Sequence, residues 1–262
     1  MRIPIFHIDA FTTRRLAGNP AAVMPMQSFL PDAVLQAIAA ENNLGDTAFL
    51  IREDDDYRLR WFTPSTEMPL CGHGTLASAA VVMERLQIGR TQVIFQSASG
   101  PLIVNRTDGG YRMNFPVRIS ETVTAPPPDL ARAMGVVPLD VAADAFNYIA
   151  LVRNAQEVRD LDPDMAAIAR LNRDGVIVTA AGDSHFDFVS RYFAPAKGVP
   201  EDPVTGGAHC ALTPYWVKRL NKTEFRASQL SRRGGEIICR LVGERVELQG
   251  SCVFYLEGQV EI

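Results

Sequence analysis

Alternating apolar and polar residues predict short β-strands along much of the chain, with a few helices between them. Near the start, Ile3 and Ile5 alternate with polar positions, which is typical of a half-buried strand. The segment 31–43 has helical spacing instead, and the long apolar segments 75–86 and 206–220 also predict helices. Strands and helices do not follow a regular βαβ rhythm. The pattern therefore favours an α+β fold with a largely antiparallel sheet.

Turn-forming residues separate these elements. The tripeptide Gly18-Asn19-Pro20 is typical of a turn, and the charged run 52–56 predicts a solvated hairpin turn. The proline-rich segment 125–128 is the one linker-like stretch. We expect two domains, an N-terminal one over 1–117 that is completed by 252–262, and a C-terminal one over 118–251.

The two halves of the sequence resemble each other. The stretch RWFTP at 60–64 matches RYFAP at 191–195, and the segment 71–86 aligns with 205–220. In this alignment Gly72 meets Gly206, and both segments end in Arg-Leu. Because strand, proline stop, glycine-containing turn and long apolar helix recur in the same order, we infer a duplication of two similar domains.

Composition and charge limit the classes of function. The chain has 262 residues, of which 47% are hydrophobic and 21% are charged, with a net charge of −4. These values predict a globular protein and make it a poor candidate for binding nucleic acid or an anionic membrane. No apolar run is long enough to span a membrane, and the first residues lack the layout of a signal peptide. The four cysteines form no CxxC pair, so we expect a cytoplasmic protein with reduced thiols.

Each long helix is expected to begin in a glycine-containing turn, Gly72-His73-Gly74 in one half and Gly206-Gly207 in the other. A helix N-terminus presents unpaired N–H groups and partial positive charge, and glycine lets the backbone approach a ligand closely. Two such turns on duplicated helices favour a cradle for an anion, typically a carboxylate.

Two residues beside these turns are candidates for chemistry. His73 lies in the first turn of its helix, where the positive helix end is expected to lower its pKa and keep the imidazole neutral. Asp202 precedes the second helix and is expected to contact a polar group of the substrate or to share in proton transfer. The simpler roles are a structural histidine and a helix cap.

A third candidate lies where the first helix leads into an apolar strand. Asp46 precedes the residues TAFLI, and a carboxylate at the edge of an apolar cleft suits a general acid or base. Glu41 is a nearby alternative that the sequence does not exclude.

The sequence predicts that the cysteines pack in the core and take no part in catalysis or metal binding. Cys71 stands where a helix N-terminus would activate a thiolate, but Thr205 occupies the matching position, so we expect Cys71 to be a small buried residue. Cys210, Cys239 and Cys252 are predicted to lie in the core. No spacing of His, Cys and Asp resembles a metal site, and no glycine-rich phosphate loop is present. We therefore expect neither a metal nor a nucleotide cofactor.

Four sequence motifs carry a resemblance to a known family. The stretches HIDAFTTRRLAGNPAAV, NNLGDTAFL, RWFTPSTEMPLCGHGTLA and DFVSRYFAPAKGVPEDPVTGGAHCALTPYW occur in order at 7–23, 42–50, 60–77 and 187–216. Together they make the chain resemble the PhzF-like family, the relatives of the phenazine-biosynthesis isomerase on the diaminopimelate-epimerase fold.

The resemblance implies two pseudo-symmetric domains, each a sheet wrapped around a central helix, with the active site between them. It also implies cofactor-free proton transfer and a homodimer. The founding activity of the family isomerises trans-2,3-dihydro-3-hydroxyanthranilate. The family's catalytic glutamate corresponds to Asp46, its histidine to His73, and its aspartate to Asp202. The substrate-binding positions implied are Gly72, Gly74, Thr75, Gly206 and Gly207.

Two departures from the family pattern concern the substrate. Asp46 is one methylene shorter than glutamate, and Gly207 replaces a frequent serine. The leading hypothesis is therefore a cofactor-independent isomerase of some small carboxylate-bearing compound. The alternatives are a non-catalytic small-ligand-binding protein and, least favoured, a two-base amino-acid racemase, because Thr205 stands where the second thiol would be.

Overall fold

The computed structural model describes residues 1–183 and 185–262 and forms two compact units. The first unit consists of Met1–Asn114 with Gln249–Ile262, and the second of Phe115–Leu248. The domain limits expected from the sequence lie close to these bounds. That each unit is a domain of its own stays a prediction.

Eight strands and two helices occupy residues 1–116. The strands are β1 Arg2–Ala10, β2 Asn19–Met26, β3 Asp46–Glu53, β4 Asp56–Phe62, β5 Glu67–Met68, β6 Gln92–Ser97, β7 Gly100–Thr107 and β8 Gly110–Pro116. The helices are α1 Asp32–Asn42 and α2 Gly72–Val81, and a π-helical turn, Val82–Leu86, continues α2.

The described residues of the second half form ten strands and four α-helices. The strands are β9 Glu121–Thr122, β10 Asp140–Ala143, β11 Asn147–Leu151, β12 Gly175–Ala181, β13 Phe188–Ala194, β14 Val199–Asp202, β15 Glu224–Gln229, β16 Gly235–Val242, β17 Arg245–Gly250 and β18 Cys252–Glu261. The helices are α3 Pro128–Met134, α4 Ala155–Arg159, α5 Met165–Ala169 and α6 Gly206–Leu220, with a 3₁₀ turn at Pro195–Lys197.

In the first unit a mostly antiparallel sheet surrounds one buried helix. β1 pairs antiparallel with β2 and β18, β3 with β4, and β6 with β7, whereas β2–β3 and β4–β6 are parallel. Every residue of α2 from Gly74 to Val81 is buried, which accounts for its run of small and apolar side chains. The helix thus lies in the core, and only its N-terminal turn is partly open.

The second unit repeats this plan around α6. β11 and β12 are parallel, β12 and β13 are antiparallel, and β13 and β15 are parallel. Most of α6 is buried, from Ala208 through Trp216 without interruption. The α+β class with largely antiparallel pairing, predicted from the sequence, is confirmed.

An ion pair recurs at matching places in the two units. The guanidinium of Arg60 in β4 donates to both carboxylate oxygens of Glu67, at 2.7 and 2.8 Å. Arg191 in β13 does the same to Glu201, at 2.6 and 3.0 Å. Each pair joins the strand that contains the start of the repeated motif to the short strand before the long helix.

Three local expectations need correction. Of the three residues expected to form the turn, only Gly18, with φ of +66°, precedes β2, while Asn19 and Pro20 already belong to that strand, where they pair with Ala10 and Asp9. The expected helix over 75–86 begins earlier, at Gly72, and its last turn is π-helical. Strands β10 and β15 were not predicted. None of the described helices combines the length and the apolar character needed to cross a membrane.

Candidate functional site

Asp46 is a buried carboxylate at the first residue of β3. Its side chain is 1% exposed, and the strand continues into the core through Ala48 and Phe49. β3 is held on one side by β2 and on the other by β4, so the backbone at Asp46 is fixed. The other candidate, Glu41, is exposed on α1. The geometry therefore favours Asp46 as the acid or base.

Gly74 provides the space that the Asp46 carboxylate occupies. A Cβ placed on Gly74 would overlap Oδ2 of Asp46 and would come within 3.1 Å of its Cγ and 2.8 Å of Trp61 Cδ1. Real Cβ atoms essentially never show contacts below 3.0 Å. Gly74 is thus required by the close approach of a carboxylate to the start of α2.

Cys71 and His73 complete this cluster. Sγ of Cys71 lies 3.3 Å from Nδ1 of His73 and accepts a hydrogen bond from the N–H of Gly74 at 3.4 Å, as the N-cap of α2. One ligand-type atom from each of Asp46, Cys71 and His73 lies within 4.8 Å of the other two. A carboxylate, a thiol and an imidazole therefore converge at the first turn of α2.

His73 carries no charge at neutral pH. Burial lowers its pKa from 6.5 to about 4. The neutral ring was predicted from the sequence, but the cause expected there, the positive helix end, is replaced by loss of contact with water. A neutral imidazole both donates and accepts, so it can pass a proton without holding a charge.

The structure corrects two assignments of cysteines. Cys71 is half-buried and in contact with His73, and Cys252 is also half-buried, whereas Cys210 and Cys239 lie in the core as predicted. Cys71 was misjudged because a cysteine in an apolar sequence is usually a packing residue. Its position as N-cap keeps it at the open end of α2.

Thr75 uses its hydroxyl within the helix. Its Oγ1 donates to the carbonyl of Cys71 at 2.6 Å, and the residue is fully buried. Gly72, by contrast, is half-buried at the start of α2. Of the expected binding residues here, Gly72 and Gly74 therefore lie at the cluster, while the Thr75 side chain stabilises the helix start.

A second cluster surrounds the start of α6. Oγ1 of Thr205 donates to Oδ2 of Asp202 at 2.6 Å. Gln229 donates to Oγ1 of Thr205 at 3.1 Å and to the carbonyl of Asp202 at 2.6 Å, and it accepts from the N–H of Thr205 at 2.9 Å. The Thr205 hydroxyl is held away from capping, and α6 has no side-chain cap. Its first N–H groups thus receive no hydrogen bond from the N-cap side chain, and groups of this kind can bind an anion.

Arg118 lies beside the same helix start and was not predicted. A Cβ placed on Gly207 would come within 3.2 Å of Nη1 of Arg118. The guanidinium stacks on the Phe146 ring, 4.8 Å from its centroid. Because Gly207 stands where the family often has serine, the guanidinium comes closer to the helix than a larger side chain would allow.

The two units differ at the position of the carboxylate. In β3, Thr47 pairs with Phe62 of β4, and Asp46 is the residue before Thr47. In β12, Val176 pairs with Phe193 of β13, and Gly175 is the residue before Val176. Since Phe62 and Phe193 match in the repeat, Gly175 is the counterpart of Asp46. Along the aligned helices, Ala208 is likewise the counterpart of Gly74. A buried carboxylate at this place is present in the first unit alone.

Two further residues escaped the sequence analysis. Trp61 is 1% exposed, its ring edge faces Gly74, and its indole N–H has no hydrogen-bond partner among the described residues. Gln229 is distant in sequence from the residues that it holds. The signal for Trp61 was its place in the repeated motif; Gln229 had none.

Comparison with known proteins gives the family. The family model described as phenazine biosynthesis-like protein matches residues 8–258. An uncharacterized isomerase of Pseudomonas aeruginosa is 46% identical over 262 residues and all of both chains. A crystal structure of a PhzF-family phenazine biosynthesis protein from Enterococcus faecalis superposes with a TM-score of 0.96 at 40% identity, over the whole of both chains.

A more distant match concerns the fold alone. The structure of a probable proline racemase from Agrobacterium radiobacter gives a TM-score of 0.65 at 13% identity, covering 99% of this chain and 93% of the other. The whole-length matches show that the chain belongs to the phenazine biosynthesis-like, or PhzF, family.

Proposed function

We propose that this protein is a cofactor-independent isomerase that moves a proton within a small carboxylate-bearing substrate. The observation that carries the proposal is the buried Asp46 carboxylate, seated over Gly74 beside the neutral imidazole of His73. The family membership and the relative named as an isomerase support the same class of reaction.

Asp46 is the proposed acid and base. Its carboxylate accepts the proton from a substrate C–H bond, the electron pair moves into the neighbouring π system, and the same group returns the proton to another carbon. No net oxidation occurs, so no redox partner is required. His73 hydrogen-bonds a polar group of the substrate or relays the proton, and Asp202 holds a second polar group.

The substrate carboxylate is the proposed ligand of the helix starts. The backbone N–H of Gly72 in one unit, and those of Gly206 and Gly207 in the other, supply hydrogen-bond donors and partial positive charge, whereas the N–H of Gly74 already donates to Cys71. The family resemblance implies that both units contribute to one site, and we include this in the proposal. It predicts that Asp202→Asn loses activity although Asp46 is intact.

One base is favoured over two. In the alignment of the two repeats, Cys71 corresponds to Thr205 and Asp46 corresponds to Gly175, so neither a pair of thiols nor a pair of carboxylates occupies matching positions. A racemase that uses one base on each face of its substrate needs such a pair. The asymmetry instead supports a proton that leaves and returns through the same group.

The substrate is proposed to be similar to trans-2,3-dihydro-3-hydroxyanthranilate without being identified with it. Asp46 is shorter than the family glutamate, and a displacement of about 1 Å at a reacting group can change a rate on the order of 10²-fold. We therefore expect a compound whose reacting carbon comes closer to β3. Arg118 beside Gly207 favours a substrate with its anionic group near the start of α6.

The test is proton NMR in D₂O with that compound and a panel of small amino and hydroxy acids. We expect deuterium to enter one of them in the presence of the protein, and the exchange to be lost in Asp46→Asn, which keeps the shape of the side chain. Glu41→Gln, at the exposed alternative carboxylate, is the control and should retain exchange.

The opposite outcomes have distinct meanings. Full exchange in Asp46→Asn would refute Asp46 as the base. Tight binding of a compound with no exchange would favour a non-catalytic ligand-binding protein. Racemisation that Cys71→Ser abolishes would favour thiol chemistry instead.

A homodimer in the cytoplasm is also proposed from the family resemblance and the sequence. Light scattering on the purified protein gives the mass directly. A mass of one chain across the concentrations used for activity would refute the dimer.

A further inference from the structure

The convergence of Asp46, Cys71 and His73 has a consequence for metal binding. The three side chains offer a carboxylate oxygen, a sulfur and a ring nitrogen, all within 4.8 Å of one another. They lie at the ends of two fixed elements, the first residue of β3 and the first turn of α2. Such a set differs from a group of surface carboxylates, because each ligand is of a different chemical type and is held by backbone structure.

The distances match those of a tetrahedral zinc site. With a Zn–S bond of about 2.3 Å and a Zn–N bond of about 2.0 Å, the sulfur and the nitrogen lie about 3.5 Å apart across a tetrahedral angle. The observed separation of Cys71 Sγ and His73 Nδ1 is 3.3 Å. The carboxylate of Asp46 needs to close by about 1.5 Å at most to reach the corresponding edge lengths. That movement requires the Asp46 side chain to rotate away from its contact with Gly74.

The ligand types select among cations. A thiolate and an imidazole favour Zn²⁺ and other borderline or soft ions, whereas Mg²⁺ and Ca²⁺ require mostly oxygen ligands. Three protein ligands also leave a fourth position open, as in zinc sites that bind water or a small anion. Cys71 and His73 are not fully buried, and their small exposed part gives an ion access to the cluster.

We propose that Asp46, Cys71 and His73 form a Zn²⁺-binding site, and that an ion bound there stops proton transfer. The inhibition rests on the proposed function: a metal that coordinates Asp46 and His73 occupies the lone pairs with which these groups would accept a proton. The binding itself is independent of any activity. The cluster would thus act as an acid–base centre when it holds no metal ion and would be inhibited when Zn²⁺ is bound.

The experiment measures binding directly. The chain is freed of metal with a chelator, dialysed and titrated with ZnCl₂ in a calorimeter, and we expect one ion per chain. Cys71→Ser should weaken binding by at least about tenfold, the loss that follows when only an outer hydrogen-bond partner of a metal ligand is removed. Serine is a favourable N-cap, so the start of α2 is retained. Cys252→Ser, which alters a half-buried thiol elsewhere, should bind Zn²⁺ as the unmodified chain does.

A spectroscopic measurement identifies the ligand. Co²⁺ added in place of Zn²⁺ should give a thiolate-to-metal charge-transfer band that is lost in Cys71→Ser and kept in Cys252→Ser. Absence of stoichiometric Zn²⁺ binding, equal affinity in Cys71→Ser, or equally tight binding of Mg²⁺ would each overturn the site.

The inhibition is tested separately. Deuterium exchange should fall as Zn²⁺ saturates the site and return with a chelator. Unchanged exchange at saturation would overturn the inhibitory role. If the metal-free protein gives no exchange, the proposed isomerase fails, while a Zn²⁺ isotherm lost in Cys71→Ser would still establish the metal site.

Discussion

Replacing Gly74 with alanine tests the central contact of the candidate site. The added methyl group would overlap Oδ2 of Asp46 and lie 2.8 Å from Cδ1 of Trp61. Neither neighbour is a flexible chain end, because Asp46 begins a paired strand and Trp61 is fully buried. The carboxylate must therefore retreat by about 1 Å, a displacement that can lower a reaction rate on the order of 10²-fold.

The effect on stability has two terms of opposite sign. In a helix without neighbours, alanine is favoured over glycine by about 0.5–1 kcal/mol. Overpacking of a buried site costs about 1–3 kcal/mol, and here the group displaced is a buried carboxylate. We expect the second term to exceed the first, so that Gly74→Ala lowers the free energy of unfolding by about 1–2 kcal/mol.

Urea unfolding of four chains isolates the contact: the unmodified chain, Gly74→Ala, Asp46→Ala and the double variant. Removing the Asp46 side chain relieves the overlap, so the alanine at 74 should be less destabilising in that background by about 1 kcal/mol or more. Additive effects would show that the carboxylate does not lie over Gly74. Gly74→Ala with full stability and full exchange would refute the reasoning altogether.

Three further predictions follow. Trp61→Phe removes a buried indole N–H that lacks a partner in the described chain, which offsets part of the cost of a smaller ring at a fully buried position. The free energy of unfolding in urea should therefore fall by less than about 2 kcal/mol, and a fall of about 3 kcal/mol or more would contradict this. Deuterium exchange should fall if that N–H serves the substrate. Burial lowers the pKa of His209 from 6.5 to about 4, so as the pH falls the unfolded chain binds a proton at this residue before the folded chain does. The free energy of unfolding should therefore fall by on the order of 3 kcal/mol between pH 6.5 and pH 4. His209→Gln should make this dependence on pH weaker. Arg191→Lys should lower the free energy of unfolding by about 1–3 kcal/mol, because a buried two-bond pair with Glu201 is lost, whereas Arg60→Lys, at the more exposed matching pair, should lower it less; equal losses would contradict the role of burial.

Local patterns in the sequence predicted the elements that have strong periodicity. The helices α1 and α6 and the strands around the repeated motif were found because their apolar spacing is regular. Strand β10 was missed because it has only four residues, and β15 because only two of its six residues, Phe225 and Ala227, are apolar. The turn at Gly18 was placed correctly, but its extent depends on the pairing of Asn19 with β1, which no local pattern shows.

The candidate site was predictable in its residues and not in its contacts. Asp46, His73 and Asp202 followed from the motifs, although their roles remain predictions. The approach of Asp46 to Gly74 depends on β3 lying next to α2, and the hydrogen bonds of Gln229 depend on β15 lying next to the start of α6. Cys71 was assigned to the core because cysteines in apolar sequences are usually buried, and this tendency was given more weight than its position at the start of a helix.

The repeat shows how the starts of the two long helices differ. Where the first unit has a carboxylate, Asp46, and a glycine beneath it, Gly74, the second has Gly175 and Ala208. The two positions differ together: without a carboxylate, the helix accepts alanine, and with one it requires glycine. A shared fold thus supports two different helix starts. One contains a buried acid, and the other keeps its N–H groups uncapped because Thr205 is bonded to Asp202. In the isomerase proposed above, the first of these helix starts would hold the acid and the second would bind the anionic group of the substrate.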